Sequence, residues 1–91
     1  MEVKDVVTVL TALGTEYVGR LKTMDKNGIT LSNPLLVTTN DKGIGFANGV
    51  AMTGTTHPKH LLINLSQIVF VTETNKMVVK AWVESTSGLV L

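Results

Sequence analysis

The stretch that decides the fold is Gly14-Thr15-Glu16-Tyr17-Val18-Gly19-Arg20-Leu21-Lys22-Thr23-Met24-Asp25, followed by Lys26-Asn27-Gly28. Thr15 to Thr23 has the composition of a β-strand, and a glycine inside a strand usually marks a sharp bend or a close backbone approach. The Asn27-Gly28 pair supplies the positive φ angles that a tight hairpin turn needs. The stretch therefore predicts a strongly bent strand that turns back into a second strand, as in small β-barrels.

The composition limits the chain to one small core. It has 91 residues, of which 44% are apolar, with four aromatic residues and no cysteine. An interior built from Val, Leu, Ile and Met favours strands packed on strands. Without cysteine there is no disulfide, thiolate metal site or cysteine nucleophile, and so small a barrel is expected to gain stability by oligomerising. We predict a single domain over residues 1–91.

The charge pattern gives no sign of a large nucleic-acid or membrane surface. Eight basic and seven acidic residues leave a formal net charge of +1. No segment approaches the roughly 20 apolar residues of a membrane span, and the acidic start lacks the basic region of a signal peptide. We expect a soluble, cytoplasmic protein without membrane contact, in which any nucleic-acid binding is local.

The first half of the chain predicts three strands. Val6–Leu10 is rich in β-branched residues, although apolar positions 3, 6, 7, 10 and 13 fit a helical stripe equally well. The third strand covers Ile29–Val37. Pro34 lies inside it and cannot donate a ladder hydrogen bond, so we expect a bulge, an edge or an interruption there.

The second half predicts two more strands and a helix. Residues 38–59 are polar but contain some apolar positions, so we interpret them as a long loop or hairpin extension. Leu61–Leu65 and Ile68–Thr72 are the fourth and fifth strands. Residues 75–87 have helical spacing, with Thr74 or Asn75 as a cap and Gly88 as the end; a sixth strand is the competing interpretation.

The first stretch resembles the first signature of the Sm-like family, through Val7, Val9, Gly14, Tyr17, Gly19, Leu21, Met24 and Asp25. Residues 63–68 resemble the second signature more loosely, since only the flanking apolar residues match. The two signatures cover about half the chain. The resemblance implies a mainly β, five-stranded, strongly bent Sm-like (SH3-like) barrel, here with a short C-terminal helix. Divergent Sm-like proteins of marine phages have this general look.

Sm-like proteins close into homo-oligomeric rings of about five to eight subunits. The fourth strand of one subunit pairs with the fifth strand of the next, which fits the two apolar edges expected here. The resemblance therefore places the subunit interface at Leu61, Ile63, Leu65, Ile68 and Phe70.

The family binds single-stranded, often uridine-rich, RNA at two turns. In this chain the matching positions are Asp25, Lys26, Asn27, Asn64 and Ser66, and Lys22 or Lys59 could help. Several family residues are altered. Ile29 stands at the position of the family's asparagine, Asn64 replaces its arginine and Leu65 replaces its glycine. Asp25 and Asn27 are also expected at a turn for structural reasons alone.

Other residues predict little chemistry. Phe46 lies in the polar segment of residues 38–59, which we call the excursion, and it could stack on a base or dock a partner. Trp82 is best interpreted as a core or interface anchor. His57 and His60 are not accompanied by further metal ligands, and no nucleophile, paired carboxylates or phosphate loop is evident. We expect no enzymatic activity, cofactor, metal or small-molecule substrate.

Two functions stay open at this stage. The first is a ring that binds single-stranded RNA, as an RNA chaperone or RNA-processing scaffold. The alternative is an oligomeric protein-interaction or assembly module without RNA binding. If the chain is encoded by a phage, its place is the host cytoplasm.

Overall fold

Six strands and one helix form along the chain in a computed structural model, which describes residues 1–47 and 49–87. A short 3₁₀ turn at Leu65–Gln67 separates the last two strands. The elements are β1 (Val6–Thr11), β2 (Glu16–Asp25), β3 (Gly28–Asn40), β4 (Gly43–Ala47), β5 (His60–Asn64), β6 (Ile68–Glu73) and α1 (Lys76–Ser87).

The long strand β3 organises an antiparallel sheet of order β4-β3-β2-β1-β6, to which β5 is added at β3. One edge of β3 pairs with β2. On the other edge, residues 28–32 pair with β5 and residues 36–40 pair with β4. Strands β1, β2, β3, β5 and β6 are the five of the predicted barrel, and β4 is an added strand that the excursion folds back onto β3.

Both long strands bend where the sequence predicts it. The register of β2 against β3 shifts between Val18 and Arg20, and a Cβ on Gly19 would lie 3.0 Å from the Cβ of Leu31. In β3, Asn33 has a φ of 48°, and the buried Pro34 follows it. Because Pro34 cannot donate to a ladder, β3 changes partner from β5 to β4 on either side of it.

The turn between β2 and β3 crosses the end of β5 at very short range. Gly28 has a φ of 152°, and a Cβ placed on it would lie 2.1 Å from the backbone oxygen of Ile63. Only glycine fits at this position, because any side chain would push β5 off the edge of β3.

The bent sheet has an apolar core on each face. The inner face packs Val7, Val9, Leu21, Ile29, Leu31 and Ile63, with Tyr17, Leu61, Ile68 and Val71 partly buried around them. The other face packs Val18 and Leu35 under Trp82 of α1. Side chains along β1 alternate between the two faces of the sheet, so Val7 and Val9 pack in the inner core while Val6 contacts the outer core.

Trp82 fixes α1 on the sheet. Trp82 is 3% exposed, and its Nε1 donates a hydrogen bond to the backbone oxygen of Asn33 at 2.9 Å. The guanidinium of Arg20 lies 5.2 Å from the ring centroid and donates to the Lys4 oxygen. The anchor predicted from sequence therefore holds the helix over the bend in β3.

The structure decides the alternatives that the sequence left open. Residues 6–11 form a strand because they pair with β2 on one side and with β6 on the other. The C-terminal segment is a helix, and the side chain of Asn75 accepts a hydrogen bond from the amide of Val78. Gly88, the expected end of this helix, lies outside the described residues.

Gly28→Ala tests the close approach to β5. The added methyl meets a backbone oxygen and an unfavourable φ, so we expect a loss of about 3 kcal/mol or more in the free energy of unfolding. Urea unfolding followed by circular dichroism measures it. Gly45→Ala is the control, because its methyl would come no nearer than 3.8 Å to Thr38. Equal stability of the two variants would contradict the assignment.

Trp82→Ala tests the docking of α1. Loss of the buried ring and its hydrogen bond should cost about 3–5 kcal/mol of unfolding free energy. The neighbouring Val83 is exposed, so Val83→Ala should change stability by no more than about 0.5 kcal/mol. A similar effect of both substitutions would show that α1 adds little to the fold.

Candidate nucleic-acid interface

The two turns named from the sequence lie side by side at one end of the sheet. Gly28, at the start of β3, pairs with Asn64 at the end of β5. Beyond this pair, the amide of Leu65 donates a hydrogen bond to the backbone oxygen of Asn27 at 3.1 Å. We call the side chains of Asp25, Lys26, Asn27, Asn64 and Ser66 the turn cluster; all five residues are exposed.

Asp25 closes its own turn. Its Oδ1 accepts a hydrogen bond from the backbone amide of Asn27 at 2.8 Å. This is the structural role that an Asp opening a turn is expected to have. Asp25 and Asn27 are both exposed.

Asn64 caps the 3₁₀ turn in the same way. Its Oδ1 accepts from the Ser66 amide at 3.0 Å and from the Ser66 hydroxyl at 2.9 Å. The Gln67 side-chain amide lies 3.5 Å from the same hydroxyl. One amide oxygen therefore holds the turn, while the amide nitrogen of Asn64 is the group that could donate to a ligand.

The cluster carries little charge. Asp25 and Lys26 are its two ionisable members and have opposite signs. Lys22 is exposed on β2, three residues before Asp25. Lys59 is far from the cluster, because it precedes β5 at the opposite end of that strand and its oxygen accepts from the Asn33 amide. A contribution of Lys59 to RNA binding at these turns stays a prediction.

Two apolar side chains flank the cluster. Met24 and Leu65 are each about half exposed, so neither is withdrawn into the core. They offer an apolar surface next to amide, hydroxyl and carboxylate groups. That combination can contact the face of a planar base while bonding to its edge.

The residues proposed for the subunit interface have different surroundings. Ile63 belongs to the inner core, and Leu61 and Ile68 pack partly against it. Leu65 and Phe70 are exposed, as are Leu62 and Val69, which the sequence analysis did not name. The sequence did carry a signal for the exposed Leu62. Apolar residues follow one another without interruption in β5, whereas apolar and polar residues normally alternate in a strand that has one face in solvent.

The outer edges of β5 and β6 are open within the part of the chain that the structure describes. There, β5 pairs with β3 alone and β6 pairs with β1 alone. An open strand edge presents unpaired amide and carbonyl groups to a further strand.

Phe46 does not project freely from the excursion. It lies in β4 and packs partly against the outer core beside Val78. With Ile44, Met77 and Ala81 it lines an apolar groove of ≈ 460 Å³ between β4 and α1. The stacking or docking role of Phe46 stays a prediction.

Two further findings concern metal ligands and helix length within residues 1–47 and 49–87. No group of three or more His, Cys, Asp or Glu side chains there could hold a metal ion. No helix in this range is long and apolar enough to cross a membrane.

Comparisons with known proteins identify the fold. No protein-family model matches the chain, and no curated protein matches it in sequence. A solved structure that it resembles is an Sm-like protein from the archaeon Pyrobaculum aerophilum, with a TM-score of 0.54 and 21% sequence identity. The match covers 81% of this chain and 46% of the archaeal one, so the chain spans about half the length of that protein.

The chain thus has an Sm-like fold, with an antiparallel, strongly bent sheet and a C-terminal helix. The likeness concerns the fold alone.

Proposed function

We propose that the chain forms a homo-oligomeric ring that binds single-stranded RNA through its turn cluster. The observation that carries this proposal is the hydrogen bond between Leu65 and Asn27, which joins two exposed polar turns into one surface. The Sm-like fold supports it by analogy, since a fold by itself does not fix a function.

The open edges of β5 and β6 support the ring. Each subunit has one edge of each kind, so pairing β5 of one copy with β6 of the next is a head-to-tail contact that can close on itself. Closure would satisfy both edges in every subunit. Apolar side chains accompany them, with Leu62 on β5 and with Val69 and Phe70 on β6.

The turn cluster suits an unpaired base better than a duplex. Met24 and Leu65 could contact the face of a base, while the side chains of Asn27, Asn64 and Ser66 could bond to its edge. Lys26 is exposed in the same turn, and a contact from it to a phosphate would add affinity without sequence preference. Repetition around a ring would multiply these weak contacts.

The alternative function is a protein-interaction or assembly module without RNA binding. One observation that favours it is that Oδ1 of Asp25 and Oδ1 of Asn64 already accept hydrogen bonds within their own turns. In addition, the charges of Asp25 and Lys26 offset each other. A protein partner that co-purifies after nuclease treatment, with no RNA retained, would favour this alternative.

The remaining parts of the proposal concern the protein's setting. We propose a non-enzymatic protein of the cytoplasm, acting without cofactor or small-molecule substrate, since its sequence has no catalytic constellation. We also propose an origin among divergent Sm-like proteins of the phage type, which would place it in the host cytoplasm.

Phe70→Asp tests the ring. Phe70 lies on β6 and is 47% exposed, so a charge there should damage the proposed contact more than the monomer. We expect particle mass measured by light scattering to fall toward that of a single chain, because burying an unpaired charge is costly. Ile68 is unsuitable for this test because it packs against the inner core.

Leu13→Asp is the matched control, since Leu13 is exposed on the turn between β1 and β2. Its particle mass should equal that of the wild type. An unchanged oligomer in Phe70→Asp would refute the proposed edge.

Lys26→Ala tests RNA binding. Fluorescent oligouridine is titrated at several salt concentrations, and the slope of log K against log salt should fall by about one for each subunit that contacts the RNA. Lys42→Ala is the control, because Lys42 lies in the turn at the far end of β3 and should leave the slope unchanged. A well-formed ring that binds no oligouridine at low salt would count decisively against RNA binding.

A further inference from the structure

The groove between β4 and α1 is apolar and open. Ile44 and Phe46 line it from β4, and Met77, Val78 and Ala81 line it from α1. Ile44 is 66% exposed and Met77 is 85% exposed. Packing within one chain does not explain apolar side chains at these two positions, because most of their surface contacts solvent.

The sheet topology places this groove in line with the proposed ring contact. Strands β5 and β4 follow each other along the same edge of β3, first opposite residues 28–32 and then opposite residues 36–40. Every pair in the sheet is antiparallel. A neighbour's β6 added in the same manner would run antiparallel to β5 and therefore in the direction of β3.

The chain that continues from this neighbouring strand then approaches β4. If Ile68–Thr72 of the neighbour lies along β5, its Glu73, Thr74 and Asn75 lead onward, and its α1 begins at Lys76. Along β3, the pairing with β5 ends at Ser32 and the pairing with β4 begins at Leu36, four residues later. This step is at most about 13 Å, because β3 bends at Asn33. The neighbour's first helical turn, with Met77, is thereby brought to the level of β4.

We propose that β4 of one subunit packs against the first turn of α1 of the next subunit. This inference rests on the proposed ring and extends its interface to Ile44 and Met77. A five-residue strand such as β5 is only about 17 Å long, and specific interfaces commonly bury roughly 1,200–2,000 Å² in total. A second contact between β4 and α1 would supply apolar area that the strand edges lack.

Met77→Lys and Ile44→Lys test the second contact. Both side chains are exposed, so each variant should keep the wild-type circular dichroism spectrum. Sedimentation velocity over a range of protein concentrations gives the concentration at which half of the subunits are assembled. We expect each substitution to raise this concentration by roughly tenfold or more, because a lysine would be placed in an apolar contact.

Met52→Lys is the matched control. Met52 is a fully exposed methionine in the segment between β4 and β5, outside the proposed contact. Its assembly should match the wild type, and an equal weakening in this control would overturn the inference. If the wild type forms a ring and both Met77→Lys and Ile44→Lys assemble as it does, the second contact is wrong and the ring stands. A wild type that is monomeric at all concentrations would overturn the ring together with this contact.

Discussion

The structure depends on one strand that is paired along both edges and broken in the middle. At Asn33 and Pro34 the strand β3 changes its partner from β5 to β4, while β2 follows it through the bend on the other edge. Gly19 permits that bend because the β3 backbone passes where a side chain would stand. The bend also exposes the Asn33 oxygen to Trp82, so the position of the helix depends on it as well.

Much of the fold could be predicted from residues whose type is required by the conformation of the backbone. Gly19, Gly28 and Pro34 each report a local constraint, and each marks a bend, a turn or a break in the sheet. Whether the first segment is a strand or a helix could not be decided in this way, because its apolar residues fit the spacing of a helix and that of a strand equally well. Its pairing with β6, more than half the chain away, settled the matter.

The candidate site was predictable in its location and less so in its detail. The turns at Asp25 and Asn64 meet as the family resemblance implied, but hydrogen bonds inside each turn occupy part of their polar groups. Lys59 and Asn64 lie at opposite ends of β5, a separation that depends on the extended backbone of the strand and that spacing in sequence does not reveal. Leu62 is exposed because the opposite face of β5 packs against the core. The register of β5 with β3 determines which face this is, and the sequence alone does not give that register.

The pairing of β1 with β6 also governs the order in which the molecule can form. Val7 pairs with Glu73, so this contact closes a loop that includes most of the chain, and the entropy cost of closure grows with the logarithm of loop length. The hairpin of β2 and β3 needs only its own short turn and can form early. During synthesis one edge of β1 therefore stays unpaired until β6 has left the ribosome. A ribosome that stalls after β5 would hold a sheet in which the edge of β1 that pairs with β6 is still unpaired.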